Sequence, residues 1–308
     1  MDIGKPAVGP KILRTGGMSK LIMMWSLLGC FGTGDTAVSL DEDTEPRVVL
    51  ADAGLVFGGD GSLSGWKVDA KSVQRFTPTG DGIIVAAASI PNGVAVISKQ
   101  SNGTTLQLWT ESNPTWTEGA ALSHGPINQL LVAQDGALWT EGDKGVHRST
   151  DTGATWTRMN VPTNLRLGSR KMGISGGRVA FAGPKFLATM DNGTTWQTLF
   201  EGTVHTTDGT WVAGSTNKPS LRVGRVVEQG IEWTDEIDGA WNPSAIHGHS
   251  KGVRIVATQQ LSTQVEVFQG TEQGKNFART RIDSRPAWVG LGERVMWMDT
   301  KQRIHFLP

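Results

Sequence analysis

Apolar positions along this chain come in short runs that are separated by glycine and polar residues. Typical runs, grouped in threes, occupy residues 83–90, 94–99, 105–110, 129–133, 137–141 and 145–149. Short apolar runs that end at turn residues predict β-strands. No segment keeps the 3.6-residue apolar spacing over the length of an ordinary globular helix. The pattern therefore predicts an all-β protein.

Two eight-residue segments share the pattern Ser/Thr-x-Asp-x-Gly-x-Thr-Trp. The first box covers residues 149–156 and the second box covers residues 189–196, so they are 40 residues apart. A fixed period of roughly 20–50 residues indicates a repeat architecture. The shared positions are Ser149, Asp151, Gly153, Thr155, Trp156, Thr189, Asp191, Gly193, Thr195 and Trp196.

Each box has the residues of a tight turn between two strands. An aspartate accepts hydrogen bonds from backbone N–H groups a few residues further on, and glycine supplies the positive φ angle that such a turn needs. The threonine hydroxyl offers the carboxylate another donor, and the tryptophan buries a large apolar face beneath the turn. We therefore interpret these ten residues as structural rather than catalytic.

Weaker copies of the box continue in phase along the chain, with Glu111, Glu228 and Glu272 at the aspartate position. The closing aromatic residues are separated by 40, 40, 37 and 44 residues: Trp116, Trp156, Trp196, Trp233 and Phe277. Glutamate should close such a turn less well, because its side chain is longer. Four short strands in each unit of about 40 residues are typical of a propeller blade.

The number of blades follows from how the chain ends are used. The last unit offers three strands, at residues 288–291, 294–299 and 303–307. We expect residues 47–50 to add the missing outer strand, because closing the ring removes an exposed sheet edge. The runs from residue 55 to residue 77 would then begin a further blade. This gives a β-propeller of seven four-stranded blades, with six as the alternative.

These motifs resemble the BNR/Asp-box repeat family, which includes sialidase-like, sortilin-like and photosystem II assembly factor-like propellers. The resemblance implies that the boxes lie at the blade periphery, away from any active site. Sialidase-like enzymes use a tyrosine nucleophile, and this chain contains no tyrosine. The resemblance therefore implies the fold without sialidase chemistry.

The N-terminal region has the layout of an export signal. Lys20 precedes the short apolar run 21–29, which ends at Cys30, the single cysteine of the chain. The sequence Leu-Leu-Gly-Cys resembles a bacterial lipobox, which implies lipid attachment at Cys30; an incidental cysteine is the alternative. We expect a leader and signal over residues 1–29, an acidic tether over 30–45 and the propeller over 46–308. The start at Met1 or at Met18 stays open.

Charge and composition narrow the possible partners. The chain has 29 basic and 29 acidic residues, so no global field favours nucleic acid. His247 and His249 have a spacing that metal sites use, but Pro, Gly, Asn and Ser around them predict a solvated loop. We expect neither a metal nor a cofactor, no nucleic-acid partner, a monomer, and contact with a membrane only through the lipid.

The sequence favours a non-catalytic, envelope-anchored propeller that binds or scaffolds a protein or a glycan. The expected location is a bacterial cell envelope, at the outer membrane or the periplasmic face, with secretion as the alternative. A divergent glycoside hydrolase or lyase, using two carboxylates at the propeller channel, is the alternative function. Buried paired carboxylates would favour the enzyme, whereas an aromatic, carboxylate-poor face would favour the binding protein.

Overall fold

The structure, a computed structural model of the chain, describes residues 38–39, 46–50, 55–58, 64–68, 73–76, 83–101, 103–110, 112–123, 125–162, 171–215, 218–282, 286, 288–292, 294–299 and 303–307. Residues Ala37–Pro308 belong to one compact unit. The predicted export signal and Cys30 lie outside the described residues.

The described chain consists of strands joined by turns, as the sequence predicts. The strands are β1 (Val38–Ser39), β2 (Pro46–Leu50), β3 (Leu55–Gly58), β4 (Ser64–Val68), β5 (Val73–Phe76), β6 (Ile83–Ile90), β7 (Gly93–Gln100), β8 (Gly103–Thr110), β9 (Asn113–Ala121), β10 (Ile127–Val132), β11 (Leu138–Gly142), β12 (Gly145–Ser149), β13 (Thr157–Arg158), β14 (Met172–Ser175), β15 (Arg178–Phe181), β16 (Phe186–Thr189), β17 (Gln197–Phe200), β18 (Val204–Thr207), β19 (Trp211–Ser215), β20 (Ser220–Val227), β21 (Gly230–Asp238), β22 (Trp241–His249), β23 (Gly252–Gln259), β24 (Val265–Gly270), β25 (Ala278–Ile282), β26 (Trp288–Leu291), β27 (Val295–Met298) and β28 (Arg303–Leu307).

These strands form seven four-stranded antiparallel sheets. Blades 1 to 6 each use four consecutive strands, from β2–β5 through β22–β25, and blade 7 has the order β26-β27-β28-β1. The first strand of each blade contacts the first strand of the next, and β26 of blade 7 contacts β2 of blade 1. The seven sheets therefore close into a ring around their first strands. The predicted all-β propeller with four-stranded blades is confirmed.

The ring closes through a different strand from the predicted one. Val38 and Ser39 pair with Ile304 and Arg303 of β28 and so complete blade 7. The predicted closing segment lies instead in β2, the first strand of blade 1. Residues 47–50 are apolar enough for a first strand that neighbouring blades contact. The ring therefore includes residues before 46, although the propeller was expected to begin at residue 46.

The antiparallel order of the strands gives the ring two distinct faces. Connections between the first and second strands, and between the third and fourth, lie at one face. Both boxes belong to this group, because they join β12 to β13 and β16 to β17. We call it the box face. Connections between the second and third strands, and between successive blades, lie at the opposite face.

The apolar core lies between neighbouring blades. One cluster joins Trp139 and Val146 of blade 3 to Phe181 and Leu187 of blade 4. Similar clusters join blades 2 and 3, 4 and 5, 5 and 6, and 6 and 7. Burying one such side chain contributes about 1.5–3 kcal/mol. Each blade is therefore stabilised mainly by its neighbours.

Among the described residues, no helix has the length and hydropathy that a membrane span requires.

Candidate functional site

Asp151 organises the turn of the first box. Its Oδ1 accepts hydrogen bonds from Ser149 Oγ at 2.7 Å and from Thr155 N at 2.9 Å, and its Oδ2 accepts one from Thr155 Oγ1 at 2.6 Å. Ser149 Oγ in turn accepts a bond from Gly153 N at 2.8 Å. The carboxylate is thereby fully engaged in holding the turn.

The second box repeats this arrangement with threonine in place of serine. Asp191 Oδ1 accepts hydrogen bonds from Thr189 Oγ1 at 2.6 Å and Thr195 N at 2.8 Å, and Oδ2 accepts one from Thr195 Oγ1 at 2.7 Å. Gly193 N donates to Thr189 Oγ1 at 2.9 Å. The 40-residue repeat in sequence is therefore a repeat of one hydrogen-bond network.

These hydrogen bonds stabilise the ionised aspartates. Bonds from the side chain and backbone of Thr155, followed by the bond from Ser149, lower the pKa of Asp151 from 3.8 to about 2. Bonds from Thr189 and then Thr195 lower the pKa of Asp191 from 3.8 to about 2. A general acid needs a raised pKa, so neither carboxyl group suits proton donation near neutral pH.

Each box also packs against the preceding blade. A Cβ atom on Gly153 would lie 2.0 Å from Leu106 Cδ2, and one on Gly193 would lie 2.5 Å from Met159 Cε. Trp156 Nε1 donates to Gly153 O at 3.1 Å, and the Trp196 ring lies 5.4 Å from the Phe181 ring. The boxes hold neighbouring blades together.

The weaker copies of the box form other turns. Glu228 lies in a tight hairpin in which Val227 of β20 pairs with Gly230 of β21. The turn at Glu272 is closed by backbone bonds from Thr271 N and Gly274 N. Glu111 lies outside the described residues. In the two described copies, the repeat interval is kept, but glutamate replaces aspartate and the turn is held by backbone hydrogen bonds.

A small cavity of about 240 Å³ lies on the box face between the two boxes. Threonines from the first box and β13, together with Arg148, Asn192 and Thr194, line it. Arg148 Nη2 donates to Asp135 Oδ2 at 3.0 Å. The cavity is below the roughly 300 Å³ at which drug-sized ligand sites begin.

A larger cavity, of about 560 Å³, lies on the opposite face between blades 4 and 5. Residues 200–203, which connect the two blades, form one side, and Ser215, Lys218, Arg222 and Glu236 of blade 5 form the other. Arg222 and Glu236 lie on β20 and β21, the third and fourth strands of their blade. The cavity therefore lies toward the rim of the ring and not at the channel, where the alternative enzyme function places its two carboxylates.

Phe200 and Arg222, which both line this cavity, pack against the ring of Trp233. The Phe200 and Trp233 rings meet edge to face with centroids 5.3 Å apart. Arg222 Cζ lies 4.4 Å from the Trp233 ring centroid, in a cation–π contact. Tryptophan and arginine are the side chains that most often dominate protein-binding energies. We take this cavity as the candidate functional site.

The carboxylates at this cavity are exposed and already bonded. Glu201 Oε2 lies 2.8 Å from Lys185 Nζ, and its side chain is 65% exposed. Glu236 accepts a hydrogen bond from Ser220 Oγ. A glycosidase needs one carboxylic acid whose pKa is raised, commonly by burial. Neither of these side chains has such surroundings.

The buried carboxylates lie in separate blades. Glu141 belongs to blade 3 and accepts a bond from Asn128 Nδ2 at 3.3 Å. Glu266 of blade 6 is paired with Arg279, and Asp299 of blade 7 is bonded to Arg303. The described residues therefore offer no buried pair at one cavity.

The histidine prediction is wrong about local structure. His247 and His249 lie on strand β22, not in a loop. Pro243 is tolerated there because β22 is an edge strand of its sheet and has a bulge between Pro243 and Ala245. Within the described ranges, no three His, Cys, Asp or Glu side chains group as metal ligands.

No sequence motif points to Arg222, and Trp233 is marked in the sequence only as the closing aromatic residue of a weak box. The two strands that carry them pair with a register shift between Val223 and Gly224. The alternation of apolar and polar residues identifies both strands but does not predict this register. The contact with Phe200 could not be predicted either, because Phe200 belongs to the neighbouring blade.

The fold and the cavity define the chain as a β-propeller of four-stranded blades with a rim cavity. Many solved structures are similar to this chain, including three that match it over most of its length. YCF48 bound to D1 peptide matches with a TM-score of 0.60 and 10% identity, over 87% of this chain and 93% of that one.

The Cps50 (Swd1) β-propeller domain from Myceliophteria thermophila matches with a TM-score of 0.60 and 9% identity, over 88% and 98% of the two chains. A catalytically inactive virginiamycin B lyase from Staphylococcus aureus, with quinupristin, matches with a TM-score of 0.59 and 16% identity, over 88% and 97%. Identities this low show the fold alone. No protein-family profile and no curated protein matches the chain.

Proposed function

We propose that this protein is a non-catalytic β-propeller that binds a segment of a protein partner in the cavity between blades 4 and 5. The observation that carries the proposal is an open volume of about 560 Å³ lined by Phe200 and Arg222, both of which pack against Trp233. A volume in this range accepts one or two side chains of an extended segment.

The chemistry of the cavity favours binding over catalysis. Its carboxylates, Glu201 and Glu236, are exposed and bonded, so the site has no obvious general acid. Phe200 in its lining is held by the Trp233 ring of the neighbouring blade, so it needs little ordering when a partner binds. Among similar structures, YCF48 is bound to a peptide.

A peptide selection on the full chain tests the proposal. Random dodecapeptides displayed on phage are selected on the full-length protein and then measured against Ser215→Trp. Ser215 is exposed at the cavity, so tryptophan there should fill the space without disturbing the core. We expect the selected peptides to lose on the order of 10-fold or more in affinity, because the filled cavity excludes the anchoring side chain.

Thr157→Trp is the matched control, because Thr157 is an exposed residue of the small cavity on the box face. Failure to enrich any peptide, or loss of binding in Thr157→Trp but not in Ser215→Trp, would contradict the proposal. A glycan array run on the same three proteins tests the other partner class that the sequence allows. Glycan binding lost in Ser215→Trp, without peptide binding, would replace the protein partner by a glycan.

The two boxes support a place among Asp-box repeat propellers. Both boxes contain the same two side-chain bonds to the aspartate. In the first box Ser149 and Thr155 donate them to Asp151, and in the second box Thr189 and Thr195 donate them to Asp191. The weaker copies at Glu228 and Glu272, which the structure describes, do not share this network. The two boxes have a structural role, because both aspartate carboxylates accept hydrogen bonds within their own turns.

Lipid attachment at Cys30 forms the second part of the proposal. It is supported by the apolar run 21–29 ahead of a single cysteine, and by the acidic segment that follows. Two acyl chains suffice for stable anchoring, because each buried CH₂ contributes about 0.8 kcal/mol. Cys30→Ser should move the protein from the membrane to the soluble fraction in a bacterial host. Unchanged fractionation would remove the anchor from the proposal and leave the binding site unaffected.

A further inference from the structure

Among the residues that the structure describes, three arginines lie over tryptophan rings. Arg148 Cζ lies 5.6 Å from the Trp139 ring centroid, Arg279 Cζ lies 4.9 Å from that of Trp241, and Arg222 Cζ lies 4.4 Å from that of Trp233. Stacking fixes the plane of a guanidinium and leaves its N–H edge directed at a partner. The three sites therefore differ functionally in what the N–H edge of each guanidinium binds.

Two of the three guanidiniums bind a carboxylate of the protein itself. Arg148 Nη2 lies 3.0 Å from Asp135 Oδ2, and Arg279 is paired with the buried Glu266. Arg222 has no such pair among the residues that the structure describes. Glu236 stands opposite Arg222 in the strand register, but it accepts a hydrogen bond from Ser220 Oγ. Arg222 is the stacked arginine that lacks a carboxylate.

The environment of Arg222 suits a carboxylate from outside. Arg222 is part of the 560 Å³ cavity, and Lys218 contributes a second positive charge to the same lining. Of the two acidic residues there, Glu201 is held by Lys185, which offsets its charge. Arginine binds carboxylates through two parallel N–H···O bonds, and stacking on an aromatic ring reduces the ordering cost.

We infer that the cavity selects an acidic side chain, Asp or Glu, of a protein partner, with Arg222 as the residue that binds its carboxylate. This rests on the proposed function and names the chemistry of the segment that it binds. Phe200, which lines the cavity and is held edge to face against Trp233, gives the methylene groups and neighbours of that side chain an apolar surface. A segment of a protein offers a carboxylate together with apolar groups next to it.

Fluorescence polarisation on the full chain tests this inference with two fluorescein-labelled dodecapeptides. One repeats Gly-Glu-Ala and the other repeats Gly-Gln-Ala, so they differ only in side-chain charge. We expect the Glu peptide to bind on the order of 10-fold more tightly, because only a carboxylate can accept two charge-assisted hydrogen bonds from the guanidinium. Arg222→Gln should remove the difference.

Two further variants separate the guanidinium from general charge. Arg222→Lys keeps the charge but loses the two-bond geometry, so an intermediate preference is expected. Arg225→Gln removes the same charge from an exposed position of the same strand, outside the cavity lining, and should keep the preference for the Glu peptide. Thermal melts of all variants confirm that each is folded.

Equal binding of the two peptides, or an equal loss in Arg225→Gln and Arg222→Gln, would overturn the inference. An oligogalacturonate that binds through Arg222 while neither peptide binds would overturn it in favour of an acidic glycan. Neutral peptides whose binding is lost in Ser215→Trp but not in Arg222→Gln would support the proposed function and contradict the preference for an acidic side chain. Failure of every peptide would remove both.

Discussion

At the scale of single residues, one carboxylate in each box organises a whole turn. Asp191 accepts bonds from Thr189 and Thr195, and Gly193 brings the backbone against the preceding blade. Aspartate suits this position because its short side chain reaches the backbone of its own turn. At Glu228 and Glu272, the longer side chain is found in turns of another kind.

Replacing Asp191 by asparagine should reduce stability in a pH-dependent way. The folded pKa of about 2 lies below the usual 3.8, so the carboxylate stabilises the fold fully above pH 4 and loses this effect as pH falls toward 2. The difference in urea midpoint between the wild type and Asp191→Asn should therefore be largest at neutral pH and should shrink below pH 4. Glu228→Gln, an exposed acid outside this network, is the control. A constant difference across this pH range would count against the role of the charge.

Replacing Gly193 by alanine should destabilise the fold through strain and overpacking. Gly193 has φ +86°, and its Cβ would lie 3.0 Å from Trp139 Cη2. Gly136→Ala is the matched control, with φ +81° and nothing within 4 Å of its Cβ. We expect about 1–2 kcal/mol from the backbone for Gly136→Ala, and roughly 1–3 kcal/mol more for Gly193→Ala. Equal losses in urea denaturation would show that packing against Trp139 contributes little.

At the scale of the element, blade 6 shows how one four-stranded sheet accommodates a buried charge. Glu266 on β24 is fully buried and pairs with Arg279 on β25, which stacks on Trp241 of β22. Trp241 also packs edge to face on Phe268, with centroids 4.9 Å apart. A buried charge of this kind is tolerated because its partner lies on the adjacent strand.

Removing only one member of this pair should cost more than removing both. Arg279→Met keeps the apolar stem but leaves Glu266 without its cation, which should cost about 1–3 kcal/mol. Adding Glu266→Gln removes the buried charge and should recover part of that loss. A double-mutant cycle in urea, followed by tryptophan fluorescence, measures the coupling. Additive effects of the two changes would mean that the pair is not coupled.

At the scale of the whole molecule, stability depends on a closed ring. The core clusters lie between blades, and the first strands form a continuous circle from β2 to β26. Strand β1 covers the outer edge of β28 in the blade where the chain ends meet. Because each blade buries its apolar residues against the next, a loss at this junction affects the whole ring.

Truncations at the N-terminus test this closure. A chain that begins at residue 37 keeps β1, whereas one that begins at residue 46 exposes the edge of β28. We expect the shorter chain to be less stable by roughly 1–2 kcal/mol, because it loses two paired residues and their backbone hydrogen bonds. It should also aggregate more readily through the free edge. Equal urea midpoints for the two chains would show that β1 contributes nothing to the fold.

Much of the architecture could be predicted from local sequence. The runs at residues 83–90, 145–149 and 303–307 coincide with β6, β12 and β28, because short apolar runs between turn residues leave little choice of structure. Prediction failed at His247 and His249, where Pro and Gly suggested a loop. Their strand exists because β23 pairs with it and a bulge accommodates Pro243.

The candidate site could not be predicted in the same way. Arg222 and Trp233 lie on two strands whose register contains a shift, and Phe200 belongs to another blade. The lack of a carboxylate at Arg222, compared with Arg148 and Arg279, becomes visible only when all three side chains are placed. Contacts between blades involve residues far apart in sequence, and no local pattern encodes them.

The sequence by itself determined the all-β class, the repeat unit of about 40 residues and the residues of the two boxes. These features depend on backbone preferences and on hydrogen bonds within eight residues, which a linear pattern contains. The tertiary structure decided which segment closes the ring, where the faces lie and where the rim cavity forms. Those outcomes depend on strand register and on packing between blades, and both are set by contacts across the whole chain.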